Sequence, residues 1–175
     1  MAFPRNGRAL AAISLLLAGP AVALPEASAA ATPGTQRLFT TNLINRHSNL
    51  CLSVDGAAFF NGARMLQWDC GPRDNQQWNL APTTGGYYQV RSDNSGKCLS
   101  VSNADTHNGA WILQWDCGTR DNQQWKLVQR DDGFFAIVAR NSHKCLSVMD
   151  KSTQNGAPVL QWDCGSQHEQ HWRLA

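Results

Sequence analysis

The chain has 175 residues, with 15 lysine and arginine residues against 13 aspartate and glutamate residues. Two of the arginines, Arg5 and Arg8, stand near the start, so the rest of the chain carries 13 basic and 13 acidic side chains. This balance offers no basic surface for a phosphate backbone or an anionic membrane, and we therefore expect no nucleic-acid partner.

The N-terminus has the anatomy of a secretory signal peptide. Arg5 and Arg8 precede an apolar run from Ala9 to Leu17, and Ala21-Val-Ala23 supplies the small residues of a cleavage site. A membrane anchor is the alternative, but the run is shorter than the roughly 20 residues of a spanning helix and is followed by Gly19-Pro20. We predict a signal peptide over 1–23, with cleavage as late as residue 31 left open, a flexible leader over 24–36, and a secreted domain over 37–175 that does not insert into a membrane.

Beyond the leader, the pattern indicates short β-strands and no helix. Tyr87–Arg91 and Phe134–Val138 are rich in aromatic and β-branched residues, and each follows a glycine turn. The quartet Cys-Leu-Ser-Val begins at residues 51, 98 and 145, and each copy is followed by an Asn-Gly turn and a Leu-Gln-Trp strand. A closing Gln-x-Trp-x-Leu supplies a fourth strand.

These elements recur with a period of 47 residues. The second copy keeps 21 of the 30 residues from Cys51 to Leu80. A repeat of this length is one supersecondary unit that cannot bury its apolar face alone, so the three copies must pack together. The sequence predicts an all-β domain of three pseudo-symmetric repeats with about four strands each, over residues 37–82, 83–129 and 130–175.

All six cysteines lie in the repeats, where the first and second cysteine of each copy are 19 residues apart. Symmetry favours the same pairing in each repeat, because whatever the first copy does the others should repeat. Zinc binding is the rival, but the spacing contains no Cys-x-x-Cys pair and a secreted chain enters an oxidising compartment. We predict no metal site and three disulfides, Cys51–Cys70, Cys98–Cys117 and Cys145–Cys164.

The threefold motif Cys…Gln-Trp-Asp-Cys…Asn-Gln-x-Trp resembles the ricin B-chain type lectins, which are β-trefoils and also serve as carbohydrate-binding modules. The resemblance covers about Phe39 to Ala175. It implies that the tryptophans of the Gln-x-Trp motifs are core residues packed around a pseudo-threefold axis. These are Trp78, Trp125 and Trp172.

The same resemblance implies one shallow sugar pocket in each repeat. Such a pocket has an acid two residues after the first cysteine, an aromatic platform two before the second, and an Asn-Gln pair ahead of the core tryptophan. The apolar face of a sugar stacks on an indole, while a carboxylate accepts hydrogen bonds from its hydroxyls. The platforms would be Trp68, Trp115 and Trp162, and the amide pairs Asn75-Gln76 and Asn122-Gln123, with Glu169-Gln170 in the third repeat.

The acid of the family pattern is absent from all three repeats. Ser53, Ser100 and Ser147 stand in its place and are expected to face the pockets. Leu66, Leu113 and Leu160 occupy a position that is often polar in relatives. Asp55 is a candidate substitute acid in the first repeat, and Asp105 and Asp150 are candidates in the others, although the three positions are not equivalent.

Three further positions are open to two interpretations. Trp68 and its equivalents either form platforms or pack over the disulfides. Trp111 is expected to be exposed, and it either enlarges the second platform or marks a contact surface. Asp69, Asp116 and Asp163 are expected to bond to backbone amides of turns and to pair with Arg73 and Arg120.

The sequence therefore favours a secreted, monomeric lectin that needs no cofactor. Up to three weak sites would bind a galactose- or xylose-containing glycan, the second repeat contributing most and the third least. The alternative is a protein-interaction or inhibitor trefoil whose sugar sites have degenerated. An enzyme is disfavoured, because none of the five histidines belongs to a legible catalytic set.

Overall fold

The computed structural model describes residues 40–175, so the predicted signal peptide and leader lie outside the described residues. Within 40–175 the protein has thirteen strands, eight three-residue 3₁₀ turns and no α-helix. No helix in this range is long and apolar enough to cross a membrane. The first repeat contains β1 Thr40–Thr41, β2 Leu43–Asn45, β3 Cys51–Val54, β4 Met65–Trp68 and β5 Trp78–Pro82. The second contains β6 Tyr88–Ser92, β7 Cys98–Val101, β8 Ile112–Trp115 and β9 Trp125–Gln129. The third contains β10 Phe135–Ala139, β11 Cys145–Val148, β12 Val159–Trp162 and β13 His171–Leu174.

Antiparallel pairing closes part of these strands into a barrel. β1 pairs with β5, and the pairing continues through β6, β9, β10 and β13 back to β2. Because β1 and β2 follow each other in the chain, the ring has no free edge. Three hairpins, β3–β4, β7–β8 and β11–β12, extend from the barrel strands β2, β6 and β10.

The three hairpins meet one another in a cyclic pattern. Isolated antiparallel bridges join Arg64 to Leu113, Trp111 to Leu160, and Pro158 to Leu66. Each hairpin therefore pairs with the next one around the pseudo-threefold axis. A barrel capped by three such hairpins is the β-trefoil, and the predicted fold class is confirmed.

The core lies inside the barrel and under the hairpins. Trp78, Trp125 and Trp172 are fully buried, and their indole N–H groups donate to the Leu52, Leu99 and Leu146 carbonyls at 3.0, 2.9 and 3.0 Å. A buried indole needs such an acceptor, since its N–H would otherwise lose a hydrogen bond to water. Each closing tryptophan thus ties the last strand of its repeat to the Cys-Leu-Ser-Val strand of the same repeat.

The three disulfides are Cys51–Cys70, Cys98–Cys117 and Cys145–Cys164, with Cα–Cα distances of 5.1, 5.0 and 5.0 Å. The predicted pairing within each repeat is confirmed. Each bond joins the first residue of a Cys-Leu-Ser-Val strand to a cysteine two positions after the end of the following Leu-Gln-Trp strand. A closed loop of this length stabilises the fold by about 3 kcal/mol through the unfolded state.

Side chains also tie each repeat to the next. Asn61 of the first repeat bonds to Asp116 of the second: Nδ2 donates to Oδ2 at 2.7 Å, and the Asp116 backbone N–H donates to Asn61 Oδ1 at 2.9 Å. Asn108 makes the same pair with Asp163, and Asn155 with Asp69. The expectation that these aspartates bond to turn amides and pair with Arg73 and Arg120 is wrong. Each carboxylate accepts from an asparagine of another repeat, and those of Asp116 and Asp163 also bond to Lys97 and Lys144.

A buried glutamine reinforces each of these junctions. Gln67, Gln114 and Gln161 lie in the platform strands with no exposed surface. Gln114 Nε2 donates to the carbonyls of Ala58 and Phe60 at 2.7 and 3.1 Å, and its Oε1 accepts from Ser95 Oγ at 2.7 Å. The loop of one repeat is thereby fixed against the platform strand of the next.

Candidate functional site

The three platform tryptophans are the last residues of β4, β8 and β12, and their side chains face outward. Trp68, Trp115 and Trp162 are 40, 48 and 47% exposed. The preceding Gln67, Gln114 and Gln161 point into the protein, so strand alternation delivers each indole to the surface. A half-exposed indole held at the end of a paired strand is a flat apolar surface beside water.

A glycine from another repeat supports the edge of each indole. A Cβ atom on Gly156 would lie 3.6 Å from Trp68 Cζ3, and the same relation joins Gly62 to Trp115 and Gly109 to Trp162 at 3.9 and 3.8 Å. These glycines follow the Asn of the inter-repeat pairs and have φ between +82 and +93°, a region that only glycine enters at no cost. Each platform is therefore built from two repeats.

In the second repeat, Trp115 borders a cleft of about 480 Å³. Ser100, Leu113, Asn122 and Gln123 form other parts of its wall. The cleft combines one aromatic face, an apolar floor and several amide and hydroxyl groups. This combination suits a small polyhydroxylated ligand, which needs both stacking and hydrogen bonds.

The serine at the family's acid position is already engaged by the neighbouring asparagine. Asn122 Nδ2 donates to Ser100 Oγ at 3.0 Å and to the Val101 carbonyl at 2.8 Å. Asn75 makes the equivalent bonds to Ser53 Oγ and the Val54 carbonyl, both at 2.9 Å. Ser53, Ser100 and Ser147 are all nearly fully buried. The serines lie at the cleft wall, but in the first two repeats the amide holds their oxygen.

The glutamines of the Asn-Gln pairs serve the backbone. Gln123 Oε1 accepts from the Gly118 N–H at 2.7 Å, and its Nε2 donates to the Asp116 carbonyl at 2.9 Å. Gln76 and Gln170 make the same two bonds in their own repeats. Each glutamine thus fixes the loop that follows the platform tryptophan, and it positions the indole through that loop.

The third repeat has a cleft of about 310 Å³ with a different charge pattern. Trp162, Ser147, Leu160 and Gln170 line it, and so do Asp150, Lys151 and Glu169. Glu169 stands where the other repeats have Asn75 and Asn122, and it is only 5% exposed. This cleft therefore contains a carboxylate that the other repeats lack at that position.

A tight turn forms the rim of each cleft. Its two central residues, Gly56-Ala57, Asn103-Ala104 and Asp150-Lys151, all have φ between +50 and +57°, as in a type I′ turn. Glycine, asparagine and aspartate tolerate this conformation best, which explains why these residue types stand first in the three turns. Asn103 and Asp150 line their clefts.

Several predicted site residues lie elsewhere. Asp55 is exposed at the start of the first rim turn. The carboxylate of Asp105 lies 3.8 Å from His107 Nδ1, and its backbone carbonyl accepts from Gln161 Nε2. The expectation for Trp111 is corrected: this residue is partly buried, does not line the cleft of the second repeat, and is covered by the Arg64 guanidinium, whose Cζ lies 4.1 Å from the ring centroid.

Lysines beside two platforms shift the titration of nearby acids. Lys97 and Lys144 bond to Asp116 and Asp163, and with the hydrogen bonds from Asn61 and Asn108 they hold the pKa of both carboxyls below the usual value of 3.8. The acids therefore stay ionised at neutral pH. Among residues 40–175, no three His, Cys, Asp or Glu side chains are grouped so that they could hold a metal ion.

Sequence reasoning missed two features of this surface. Phe59 and Phe60 are 67 and 65% exposed, and their loop runs beside Trp115, where Gly62 contacts the indole. The pair of aromatic residues in a loop was the available signal. Glu169 was noted only as the loss of an asparagine, although a carboxylate beside a platform was the group that the pattern lacked.

Comparison with known proteins agrees with this architecture. The family model described as ricin-type beta-trefoil lectin domain-like matches residues 31–115, 74–162 and 121–175. The fold, together with the indole-lined clefts of the second and third repeats, thus defines a carbohydrate-binding lectin domain. The chain belongs to the ricin-type β-trefoil lectin domain-like family. A comparison with curated proteins gives no match.

Solved structures give the same picture. ThreeFoil, a designed threefold-symmetric protein, is 41% identical, with a TM-score of 0.77 over 78% of this chain and 97% of that one. The exo-β-1,3-galactanase 1,3Gal43A from Clostridium thermocellum is 29% identical with a TM-score of 0.78, over 80% of this chain but 30% of the galactanase. The Rhizoctonia solani agglutinin is 20% identical with a TM-score of 0.71, over 82% of this chain and 98% of that one.

Proposed function

We propose that the protein is a secreted lectin that holds a galactose- or xylose-containing glycan or polysaccharide through up to three weak sites. The observation that carries this proposal is the set of three half-exposed indoles, Trp68, Trp115 and Trp162, at equivalent places in the three repeats. The three disulfides support secretion, because such bonds persist in oxidising compartments.

Stacking on the indole supplies the apolar part of sugar recognition. The C–H face of a pyranose ring covers an aromatic surface that is otherwise in water, and this contact favours sugars with an unbroken apolar face. In the second repeat, Asn103, Asp116 and Arg120 line the same cleft as Trp115, and their polar groups can accept hydrogen bonds from the ring hydroxyls and donate to them. The galactanase relative supports a galactose-containing ligand. This chain spans only 30% of the galactanase, so we propose no galactanase activity for it.

Each single site is expected to be weak. Ser53 and Ser100 replace the acid, and their oxygens already accept from Asn75 and Asn122. Loss of a charge-assisted hydrogen bond removes about 1.5–3 kcal/mol, or roughly one to two decades of affinity. When the ligand is a long polysaccharide, three sites on one rigid body compensate for the weakness of each site, because the first contact raises the effective concentration of the next.

A glycan array combined with a polysaccharide pull-down tests this proposal. The native protein should be retained on galactan or xylan, and the triple variant Trp68→Ala/Trp115→Ala/Trp162→Ala should not be. Trp111→Ala is the matched control, because it removes an indole that lies outside the clefts and should leave retention unchanged. Equal retention of the native protein and the triple variant would contradict the placement of the sugar sites on these indoles. An array on which the native protein binds no glycan would contradict sugar binding itself.

The alternative is a protein-interaction trefoil, and the exposed pair Phe59 and Phe60 favours it. Two adjacent aromatic side chains in water are typical of the centre of a protein contact. The double variant Phe59→Ser/Phe60→Ser separates the two functions. It should keep polysaccharide retention if the protein acts as a lectin through the tryptophans. If the array is blank and this variant alone loses a partner captured by the native protein, the interaction function replaces the lectin.

A further inference from the structure

The cleft of the third repeat differs from the other two in the chemistry of one buried side chain. We infer that Glu169 supplies, in the third repeat, the hydroxyl-accepting carboxylate that the serines fail to supply, from the position that an asparagine holds in the other two repeats. This inference rests on the proposed lectin function and assigns its strongest single site. The ligand is a neutral sugar with two adjacent hydroxyl groups, such as a galactosyl or xylosyl residue.

The placement of Glu169 is fixed from both sides. Its backbone carbonyl accepts from Asn45 Nδ2 at 2.9 Å, and the next residue, Gln170, is held by two backbone partners. The side chain is 5% exposed and lines the cleft together with Trp162. An acceptor for sugar hydroxyls and a stacking face thus share one cavity of about 310 Å³.

The Glu169 carboxylate has no hydrogen bond or ion pair to a side chain or backbone group within residues 40–175. Most of the residue is buried, but neither carboxylate oxygen is among the fully enclosed atoms that lack a partner, so the carboxylate is open to the cleft. Two sugar hydroxyls are donors of the right kind, since a carboxylate accepts short, charge-assisted bonds from both oxygens. A bound sugar would therefore supply the hydrogen-bond donors that the Glu169 carboxylate lacks in the protein.

The other two repeats show that this position can be purely structural. There an asparagine donates to a serine and to a backbone carbonyl, as Asn122 does to Ser100 and Val101. An ionised glutamate has no proton to donate to the equivalent Val148 carbonyl, so it cannot take over that role. The rival interpretation is that Glu169 is purely structural, and it predicts no contribution to binding.

The remaining charges of the cleft restrict the ligand further. Asp150 and Lys151 stand at the exposed rim, and with Glu169 they leave the lining with one net negative charge. A sugar that carries its own carboxylate would be repelled by the like charge of Glu169 in the same cleft. We therefore expect the third repeat to select neutral sugars over uronic acids.

The experiment uses a parent in which only the third platform remains, Trp68→Ala/Trp115→Ala. Calorimetric titration with β-1,3-galactobiose and with xylotriose should show binding, and digalacturonate should bind at least tenfold more weakly. Glu169→Asn and Glu169→Gln in this parent should each lower the association constant about 10- to 100-fold for the neutral sugars. Glu169→Asn is the structural control, because the other two repeats fold with asparagine there, and its melting temperature should not fall.

The outcomes separate this inference from the lectin function. If the native protein binds these sugars but the parent does not, or if Glu169→Asn and Glu169→Gln bind as well as the parent, Glu169 is not the acceptor and the inference is wrong while the lectin remains. If the native protein binds no sugar, the lectin proposal itself fails. The reciprocal change gives a positive test: Asn122→Glu in a Trp68→Ala/Trp162→Ala parent should increase affinity for the neutral sugars.

Discussion

Asn155 of the third repeat and Asp69 of the first bond to each other twice, although 86 residues separate them. Asn155 Nδ2 donates to Asp69 Oδ2 at 2.6 Å, and the Asp69 N–H donates to Asn155 Oδ1 at 2.8 Å. Asp69 directly follows Trp68, and Gly156, which supports that indole, directly follows Asn155. The pair closes the ring of three repeats and sets the position of a platform at the same time.

We expect Asn155→Ala to destabilise the protein by about 1–2 kcal/mol, because two hydrogen bonds at a partly solvated site are lost. The change should also loosen Trp68, since the turn that supports its edge is no longer tied to Asp69. Urea unfolding measures the first effect. Asn79→Ala is the matched control: it also removes two exposed hydrogen bonds, one donated to Asp93 and one accepted from Thr40, and it should leave the Trp68 environment unchanged.

The two sets of tryptophans should respond in opposite ways to truncation. Trp78→Ala, Trp125→Ala and Trp172→Ala each empty a fully buried site and remove an N–H donor, and each should cost about 3–5 kcal/mol. Trp68→Ala, Trp115→Ala and Trp162→Ala should shift the melting temperature by only a few degrees, because about half of each side chain is in water. Thermal unfolding of the six variants measures this. Unfolding of the second set as severe as that of the first would mean that the platforms are core residues.

His171 should make the stability depend on pH below neutrality. Burial lowers its pKa below the usual 6.5, and the positive charges of Arg130 and Arg46 act in the same direction. The His171 imidazole therefore binds a proton more tightly in the unfolded chain than in the folded protein. The free energy of unfolding is highest above about pH 6.5 and decreases as the pH falls from there toward the lowered pKa.

The equivalent residues in the other repeats, Gln77 and Gln124, do not titrate, which suggests the variant His171→Gln. Chemical unfolding at pH 7 and pH 5 should show a smaller stability difference for His171→Gln than for the native protein. His107→Gln, at an exposed position, is the control and should retain the native difference. A native-like pH dependence in His171→Gln would exclude this histidine as its source.

Periodicity made the fold readable from the sequence. The Cys-Leu-Ser-Val and Leu-Gln-Trp strands fall where the pattern put them, and β6 and β10 each start one residue later than predicted. The closing strands begin at Trp78, Trp125 and His171, because the glutamine of each Gln-x-Trp motif lies in a 3₁₀ turn. Local alternation put Trp68 and Gln67 on opposite faces but left open whether the indole forms a platform or packs over the disulfide, and the structure shows Trp68 40% exposed and Gln67 buried. The first barrel strands, Thr40–Thr41 and Leu43–Asn45, were not predicted, because they lack the aromatic run of their equivalents.

Contacts between repeats could not be predicted from one copy of the motif. Asn-Gly signals a local turn, and nothing in that signal shows that Asn61 reaches Asp116 in the next repeat. Trp111 looked isolated in its own repeat, yet Arg64 at the same repeat position of the first copy covers it, since these positions meet at the pseudo-threefold axis. Residues at the same position of different repeats can therefore contact each other near the pseudo-threefold axis, although they lie 47 residues apart in the sequence.

Restoring the family's acid in the second repeat should strengthen sugar binding. Ser100 lines the cleft beside Trp115, and Asn122 Nδ2 lies 3.0 Å from its Oγ. In Ser100→Asp one carboxylate oxygen can accept from Asn122 while the other faces the ligand, which should raise affinity for a galactose- or xylose-containing oligosaccharide about 10- to 100-fold. Ser100→Asn, which adds a similar volume without charge, is the control for calorimetric titration. An unchanged affinity in Ser100→Asp would mean that this wall does not touch the sugar.

The central claim, that sugars bind on the three surface indoles, is tested most directly by the indole N–H signals in a two-dimensional nitrogen–proton NMR spectrum. Those of Trp78, Trp125 and Trp172 donate to backbone carbonyls inside the protein and serve as internal controls. Addition of galactan or xylan oligosaccharides should shift the signals of Trp68, Trp115 and Trp162 and leave the three core signals in place. If no platform signal moves at saturating oligosaccharide, or if Trp111 moves in their place, the sugar sites do not lie on these indoles.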